Sequence, residues 1–312
     1  MAKVAIIGRT EILYNTALMV LEAGHEVPLI ITAKEAPEYK KTASDFEELA
    51  HSINATYIYT PKINKPEVIE KIKSIPDLDI SISINYSGVI SQEVIDLFRI
   101  GILNAHGGDL PRYRGNACQA WALINGESKI GLCIHKMIGG ELDSGNIIVR
   151  EYLSININTR VGEAWDWMIQ KIPSMMLNAL ELLVNDSTYC LEKQSKDPKN
   201  ALRCYPRTPE DGKIDWSKSN EEILRLINAS SEPYAGAFCH YDGHPLIIWR
   251  AELYKDDEIY LAVPGQVAFI NKHTGDVIII TGKGKIKITD VEYQQERNAP
   301  AKYIKSIRKR LT

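Results

Sequence analysis

The sequence predicts an α/β fold: a Rossmann-like, mostly parallel sheet with helices on both faces, followed by a small barrel-like β C-terminal domain. Up to Ala105, short apolar runs alternate with segments of helical spacing. From Ala237 onward, short alternating runs are separated by turn residues. Strand–helix alternation is typical of a parallel sheet with right-handed crossovers, whereas closely spaced short strands indicate a barrel or sandwich. We therefore place one domain at residues 1–205, and a connector helix with the second domain at 206–312.

The elements of the first domain follow from hydrophobic periodicity and capping signals. Ser44 and Glu47 have the spacing of a capping box at the start of the second helix. The predicted strands are Val4–Gly8, Val27–Ile31, Thr56–Tyr59, Leu78–Ile84, Gly101–Ala105, Ile130–Met137 and Ile147–Val149. The predicted helices are Thr10–Ala23, Ser44–Ile53, Pro66–Ile75, Ser91–Phe98 and Ala164–Leu183.

The second domain is predicted to begin with a helix at Glu221–Ala229. The segment Ser187–Arg207 has little periodicity and is interpreted as a connector. Tyr303–Leu311 is expected to form a solvated basic helix at the end of the chain. The predicted strands are Leu246–Trp249, Gln266–Ile270, Val277–Thr281 and Lys285–Ile288.

The overall composition is that of a soluble globular protein. The chain has 312 residues, is 45% hydrophobic and carries a net charge of −3, which disfavours dedicated nucleic-acid binding because such proteins are usually basic. The five cysteines are scattered and never form a CxxC pair, so neither a disulfide framework nor a metal site is expected. No signal peptide and no apolar run of membrane-spanning length is recognised. We expect a cytoplasmic protein that makes no membrane contact.

The densest group of polar residues lies at the end of a predicted strand. Asn104 and His106 are two residues apart, so on an extended strand both side chains leave the same face. Gly107 and Gly108 then allow a sharp turn that leaves the imidazole uncovered. Open α/β sheets place ligands at such strand ends. Asn104 and His106 are therefore predicted to be functional.

Three further segments carry residues that could take part in chemistry. The first strand ends in Gly8-Arg9 without a G-x-G-x-x-G or P-loop pattern, which disfavours a nucleotide-phosphate cradle. Arg9 remains either a ligand for an anionic substrate or a surface arginine. The loop at 139–145 is by itself typical of a hairpin turn. It also carries Asp143, a carboxylate that can orient a histidine and raise its pKa. Cys133 and His135, which alternate within a strand, are interpreted as structural.

The ordered motifs resemble the formyltransferase family that uses 10-formyltetrahydrofolate. The resemblance covers nearly the whole chain and includes the family's Asn-x-His with a distant aspartate, here Asn104, His106 and Asp143. In the first domain it rests on NAH at 104–106, LPRYRG at 110–115, Trp121, NGE at 125–127 and LDSG at 142–145. In the second it rests on PEDGKIDW at 209–216, PYAGA at 233–237 and PGQV at 264–267.

The resemblance implies roles for these residues. Asn104 would donate to the oxyanion, His106 would act as base or as a protonated stabiliser, and Asp143 would orient His106. Arg9 and Arg114 become candidates for binding acceptor phosphates. The second domain would position the acceptor or make a homodimer contact. The folate pocket would be formed, mostly by backbone groups, from Asn85, Tyr86, Ser87, Gly88, Val89, Ile138, Gly139, Gly140 and Leu142.

Departures from the family pattern guide the choice of acceptor. Family members that act on tRNA carry a basic insertion after the second strand, but Thr32–Glu48 mixes lysines with carboxylates, Glu38 among them. Gly108-Asp109-Leu110-Pro111 stands where the family commonly has Ser-Leu-Leu-Pro. A nucleotide-linked amino sugar is therefore the expected acceptor, and tRNA is not. Methionyl-tRNA formyltransferase, a non-catalytic folate- or sugar-nucleotide-binding module and a formate-releasing hydrolase stay open as alternatives.

Overall fold

The computed structural model describes residues 1–36 and 39–312. Three 3-10 turns lie at Pro198–Asn200, Pro209–Gly212 and Pro300–Lys302. The α-helices are α1 Glu11–Glu22, α2 Ala43–Ser52, α3 Pro66–Lys73, α4 Gln92–Ile95, α5 Cys118–Ile124, α6 Val161–Asn185 and α7 Asn220–Ser230. The strands are β1 Lys3–Gly8, β2 Glu26–Thr32, β3 Thr56–Tyr59, β4 Ile80–Ile84, β5 Gly101–His106, β6 Arg114–Gly115, β7 Lys129–Lys136, β8 Ile147–Ser154, β9 Arg203–Cys204, β10 Ala237–Tyr241, β11 His244–Tyr254, β12 Val267–Ile270, β13 Val277–Ile280, β14 Lys285–Tyr293 and β15 Glu296–Asn298.

The first sheet has seven strands in the order β3-β2-β1-β4-β5-β7-β8. The strands β3, β2, β1, β4 and β5 pair in parallel, and β7 runs antiparallel to β5. This confirms the mostly parallel sheet. The strand order reverses beside β1, and ligands of open α/β sheets bind beyond the carboxyl ends of strands at such a point.

Both faces of this sheet are covered, as expected for parallel strands that read as continuous apolar runs. Ala5 and Ile7 on one face pack in a core with residues of α3 and α4, while Val4 and Ile6 on the other are equally inaccessible. Gly8 ends β1 with φ +137°, and a Cβ there would lie 2.0 Å from the carbonyl oxygen of Ile84. Only glycine lets the ends of β1 and β4 approach this closely.

The second sheet has six antiparallel strands, ordered β10-β11-β14-β13-β12 with β15 paired to β14. Its core combines inward-facing residues of these strands, such as Leu246 and Ile286, with Ile223 and Leu224 of α7. Ser219 caps α7 through a capping box with Glu222. The C-terminal antiparallel β domain is thus confirmed.

Two local predictions are wrong. The capping box of α2 is formed by Thr42 and Asp45, not by Ser44 and Glu47, because the N-cap lies two residues before the one that the predicted capping box indicates. Tyr303–Leu311 is not a helix. Its chain is held by the Leu311 N–H donating to Gly265 O at 2.8 Å and by burial of the Leu311 side chain, which override its helical spacing.

The chain divides into two compact units. One comprises residues 1–115, 131–152 and 166–203, and the other 116–130, 153–165 and 204–312. The two short segments 116–130 and 153–165 thus cluster with the second sheet although they precede it in sequence. The boundary at 205 stays a prediction for the linear domain division.

Candidate active site

Asn104 and His106 lie at the carboxyl end of strand β5, which is hydrogen-bonded to β7 on one side. The antiparallel register places Asn104 opposite His135, and His106 opposite Cys133. His106 is 7% exposed, and Asn104 is half-buried. Both side chains therefore lie in a largely water-excluded place, where hydrogen bonds and charges act more strongly than in solvent.

The ring of His106 lies between two hydrogen-bond acceptors. Its Nε2 is 2.6 Å from the carbonyl oxygen of Tyr113, and its Nδ1 is 3.5 Å from Oδ2 of Asp143. Since a carbonyl oxygen only accepts, Nε2 carries the proton of the neutral ring. Burial lowers the pKa of His106, although Asp143 and the Tyr113 carbonyl act in the opposite direction.

Gly108 makes this arrangement possible. A Cβ at position 108 would lie 2.2 Å from the Tyr113 carbonyl oxygen and 2.6 Å from Nε2 of His106. Any side chain there would push the two groups apart. Gly108 therefore lets the loop after His106 fold back onto the imidazole.

Asp143 reaches the same cluster from the loop between β7 and β8, with a left-handed φ of +49°. Its Oδ2 accepts from the backbone N–H of Gly115 at 2.9 Å. Burial by itself would raise the pKa of Asp143, but the imidazoles of His135 and His106 in their protonated form, together with the Gly115 N–H, lower it to about 2. The carboxylate is therefore ionised at neutral pH.

His135 belongs to this cluster and was interpreted as structural from the sequence. Its Nδ1 is 2.9 Å from the carbonyl oxygen of Lys136, so in the neutral ring Nδ1 donates and Nε2 accepts. The amide Nδ2 of Asn104 lies 3.2 Å from that Nε2. His135 thus fixes the orientation of the Asn104 amide, with the Nδ2 group turned towards the imidazole. The sequence signal for the role of His135 is its position on the same strand face as Cys133, just before the loop that carries Asp143.

Gln194 braces the site from the segment interpreted as a connector. Its Nε2 donates to the carbonyl oxygens of Asp143 at 2.8 Å and Gly145 at 2.7 Å. Its Oε1 accepts from Arg114 at 2.8 Å. Nothing in the aperiodic sequence around Gln194 indicated this role, because all three partners are distant along the chain.

The two loops predicted to bind folate follow β4 and β7. They are adjacent, since the backbone N–H of Gly139 donates to Oε1 of Gln92, at the start of α4, at 2.8 Å. Both loops expose apolar side chains: Val89 is 77% exposed, and Ile138 and Leu142 are each 40% exposed. Exposed apolar residues on two neighbouring loops fit a flat aromatic ligand such as a pterin.

The two arginines predicted to meet acceptor phosphates are partly engaged. Arg9 donates from Nε to the carbonyl oxygen of Asn85 at 2.9 Å and from Nη1 to that of Lys34 at 2.7 Å. Through the bond to Asn85, Arg9 also stabilises the loop Asn85–Val89, the first of the two loops predicted to bind folate. Arg114 lies beside the cluster through Gln194, and its buried Nε has no partner among the described residues.

Neither a metal site nor a membrane span is found in the described part of the chain. No group of three or more His, Cys, Asp or Glu residues there has the arrangement of metal ligands. No helix within residues 1–36 and 39–312 is long and apolar enough to cross a bilayer.

Known proteins resemble the chain over nearly its full length. A model described as formyl transferase matches residues 2–180, and one described as formyl transferase, C-terminal domain, matches residues 207–308. Methionyl-tRNA formyltransferase of Agathobacter rectalis is 27% identical over 95% of this chain and 93% of its own length.

Two solved structures share the fold. WlaRD, a sugar 3N-formyltransferase solved in the presence of dTDP and 5-N-formyl-THF, has a TM-score of 0.66 at 19% identity, covering 95% of this chain and 99% of its own. A variant of HypX from Aquifex aeolicus has a TM-score of 0.61 at 17% identity, covering 96% of this chain and 46% of its own. The chain thus spans about half the length of HypX.

Proposed function

The chain belongs to the formyl transferase family, and from that premise we propose that it transfers a formyl group from 10-formyltetrahydrofolate to the amine of a nucleotide-linked amino sugar. Asn104, His106 and Asp143 are the catalytic residues of this proposal. The observation that carries it is their convergence with His135 around one buried point, with Asp143 ionised and the pKa of His106 lowered.

The acceptor amine attacks the formyl carbon, and the carbonyl oxygen becomes an oxyanion. The Nδ2 of Asn104 carries two hydrogens, of which His135 accepts one. The second is the donor for the oxyanion. A preorganised donor of this kind contributes about 3 kcal/mol to transition-state stabilisation.

The proton of the attacking amine passes to His106. Because burial lowers its pKa, the imidazole is neutral near pH 7 and acts as a base. Nε2 already holds a proton shared with Tyr113, so the proton is taken up at Nδ1, which faces Asp143. The new imidazolium is stabilised by that carboxylate. His106 then returns the proton to the folate nitrogen as its bond to the formyl carbon breaks, leaving the N-formylated amine of the acceptor and tetrahydrofolate.

The acceptor is assigned to the nucleotide-sugar class on charge. In the segment after β2, Lys41 is paired with Asp45 at 2.7 Å. At the end of β1, Arg9 is bound to two backbone carbonyls. These cations are thus already engaged within the protein. Fold similarity to WlaRD, a sugar 3N-formyltransferase, points to the same class.

Formylation of methionyl-tRNA is the second candidate, and one observation favours it. The sequence relative from Agathobacter rectalis carries that name and aligns over 95% of this chain. Exposed cations at the end of the chain, Lys305 and Arg308, would then face phosphates. Such contacts would make the affinity fall steeply with salt.

A direct comparison of acceptors tests the proposal. The protein is incubated with 10-formyltetrahydrofolate and either a panel of pyrimidine- and purine-linked amino sugars or charged initiator tRNA, and each acceptor is weighed by mass spectrometry. We expect one formyl group on an amino sugar and none on the tRNA. Formylation of methionyl-tRNA alone would replace the proposal by the second candidate.

A further inference from the structure

A cluster of charged and hydroxyl side chains holds the middle of the loop that connects β5 to β6, residues 107–113. None of its members donates or accepts the proton that His106 moves, and all of them lie in the first unit. They are Asp109 in the loop, Arg150 and Tyr152 of β8, and Glu192.

Arg150 is the centre of this cluster. Its Nη1 donates to Oδ1 of Asp109 at 3.0 Å, and its Nη2 donates to the carbonyl oxygen of Leu110 at 2.7 Å. The hydroxyl of Tyr152 accepts from Nη1 and donates to the same Asp109 oxygen, both at 3.0 Å. Oε2 of Glu192 lies 3.0 Å from Nη2. The planar guanidinium therefore fixes a side chain and a backbone carbonyl of the loop in one geometry.

These contacts are largely shielded from solvent, and packing adds to them. The side chain of Arg150 is 14% exposed and that of Asp109 is 23% exposed. A Cβ at Gly131 would lie 2.6 Å from Cα of Asp109, so β7 packs directly against the loop. Leu110 is buried in a small core with Cys133. The middle of the loop is thus held by β7 through packing and by Arg150 through polar contacts.

The end of the same loop contacts the imidazole of His106. The carbonyl oxygen of Tyr113 lies 2.6 Å from Nε2 of the ring. Gly108 lies so close to both groups that a Cβ there would clash with each. Its carbonyl oxygen accepts from the backbone N–H of Leu110 at 3.0 Å. A displacement of Leu110 therefore changes how the loop contacts the ring.

Arg150 reaches the imidazole through this loop. The charged and titratable groups that face His106 from its neighbouring elements are Asp143, His135, Arg114 and Cys133. Burial raises the pKa of Cys133 to about 11, so this thiol is neutral. The electrostatic effects on the pKa of His106 come from the other three, whereas Arg150 bonds to the loop.

The loop contact decides which ring nitrogen of neutral His106 carries the proton. The Tyr113 carbonyl can only accept, so it keeps the proton on Nε2. If that acceptor moved away, the proton could lie on Nδ1 instead, where the Asp143 carboxylate is 3.5 Å distant. The ring would then have its acceptor nitrogen at Nε2 and no longer at Nδ1.

We propose that Arg150 is a positioning residue of the formyl-transfer site: it holds loop 107–113 so that the Tyr113 carbonyl keeps the His106 proton on Nε2. Nδ1 is thereby left open for the proton of the attacking amine. The inference rests on the proposed function, because that function gives Nδ1 its task. Its direct consequence is that a substitution of Arg150 changes the tautomer of His106 as well as the rate of transfer.

Nitrogen-15 NMR of the His106 ring tests the tautomer without substrate. The full chain is compared as wild type, as Arg150→Met and as Arg99→Met near neutral pH. Arg99 is the matched control, since it makes two hydrogen bonds to Asp79 in the same unit. We expect the proton on Nε2 in the wild type and the control, and a population with the proton on Nδ1 in Arg150→Met.

Steady-state kinetics provides the second readout. Arg150→Met should lower kcat about tenfold or more with little change in the KM for 10-formyltetrahydrofolate, because a displaced proton acceptor slows the chemical step. Arg150→Lys keeps the charge but lacks the planar fork, so it should recover part of kcat. Arg99→Met should have wild-type kinetics.

A second variant keeps the test decisive where Arg150→Met does not fold. Asp109→Ala removes one of the two loop contacts of Arg150 but leaves its pair with Glu192. It should shift the tautomer and kcat in the same direction by a smaller amount. The double variant Asp109→Ala/Arg150→Met should be little slower than Arg150→Met, because both residues act through one loop.

A wild-type tautomer in folded Arg150→Met, or in Asp109→Ala where the former does not fold, overturns the positioning role. If the wild type formylates an amino sugar and Arg150→Met does so with unaltered tautomer and rate, the positioning role fails while the proposed function stands. If the tautomer changes in Arg150→Met but the wild type formylates no amino sugar, the proposed function fails and the positioning of His106 stands.

Discussion

Replacing Asp143 with asparagine is expected to slow formyl transfer and to lower the pKa of His106. The carboxylate lies 3.5 Å from Nδ1 of His106 and is 12% exposed. A full ion pair at that distance is worth about 5 kcal/mol at an effective dielectric constant of about 20. Asparagine remains polar and recovers part of this energy, so we expect a loss of about 3 kcal/mol, roughly a hundredfold in kcat.

The pH dependence of kcat/KM should shift in one direction when Asp143 is replaced. Burial holds the pKa of His106 below its ordinary value of 6.5, and Asp143 counteracts part of that effect. The acid limb of kcat/KM should therefore lie below pH 6.5 in the wild type and move to lower pH in Asp143→Asn, because the neutral base then persists further into acid. An NMR titration of the His106 ring measures the same shift without substrate.

The matched control for this experiment is Asp77→Asn. That side chain is 87% exposed and pairs with Lys3, so its replacement should leave both the rate and the acid limb unchanged. An acid limb that stays in place or moves to higher pH in Asp143→Asn would refute the electrostatic coupling between Asp143 and His106.

Three further predictions concern the surroundings of this pair. Asn104→Ala should reduce kcat by roughly a hundredfold or more with a small change in KM. His135→Phe should cost less in the Asn104→Ala background than in the wild type, because part of the effect of the histidine is exerted through Asn104; fully additive losses in steady-state kinetics would contradict that coupling. Gln194→Leu leaves one buried and one partly buried carbonyl without their donor, so it should cost about 1–3 kcal/mol of stability and lower kcat. An unaltered kcat would show that the Asp143 loop keeps its position without Gln194. Because the pKa of Asp143 is lowered from 3.8 to about 2, the ionised carboxylate contributes about 2 kcal/mol to the free energy of unfolding above pH 4, and this contribution is lost as the pH falls towards 2. Chemical denaturation of Asp143→Asn should show that contribution missing at pH 6. Equal stability of the wild type and the variant at pH 6 would exclude it.

The features predicted from the sequence are those set by local periodicity. Asn104 and His106 share one face because strand side chains alternate, and the strand end is marked by the glycines that follow. The parallel sheet follows in the same way from apolar runs alternating with amphipathic helices. Family resemblance contributed Asp143, whose side chain reaches His106 from a loop that the local pattern alone interprets as a hairpin turn.

The features that were missed depend on contacts distant in sequence. His135 faces Asn104 because β7 pairs with β5 in one particular register, and no local pattern encodes that register. Gln194 lies in an aperiodic segment and acquires its role only through bonds to the Asp143 loop. The expected terminal helix is absent because Leu311 bonds to Gly265, a tertiary contact that outweighs helical propensity.

The central claim is that His106 is the proton acceptor of an N-formyltransferase site. Its most direct test is a single-turnover measurement of formyl transfer by His106→Asn and by the wild type, with 10-formyltetrahydrofolate and the acceptor identified by the panel, after circular dichroism has shown equal folding. The account predicts a rate at least about a hundredfold lower for the variant across pH 6–9, with the acid limb abolished. A folded variant that transfers the formyl group at a near wild-type rate would contradict it.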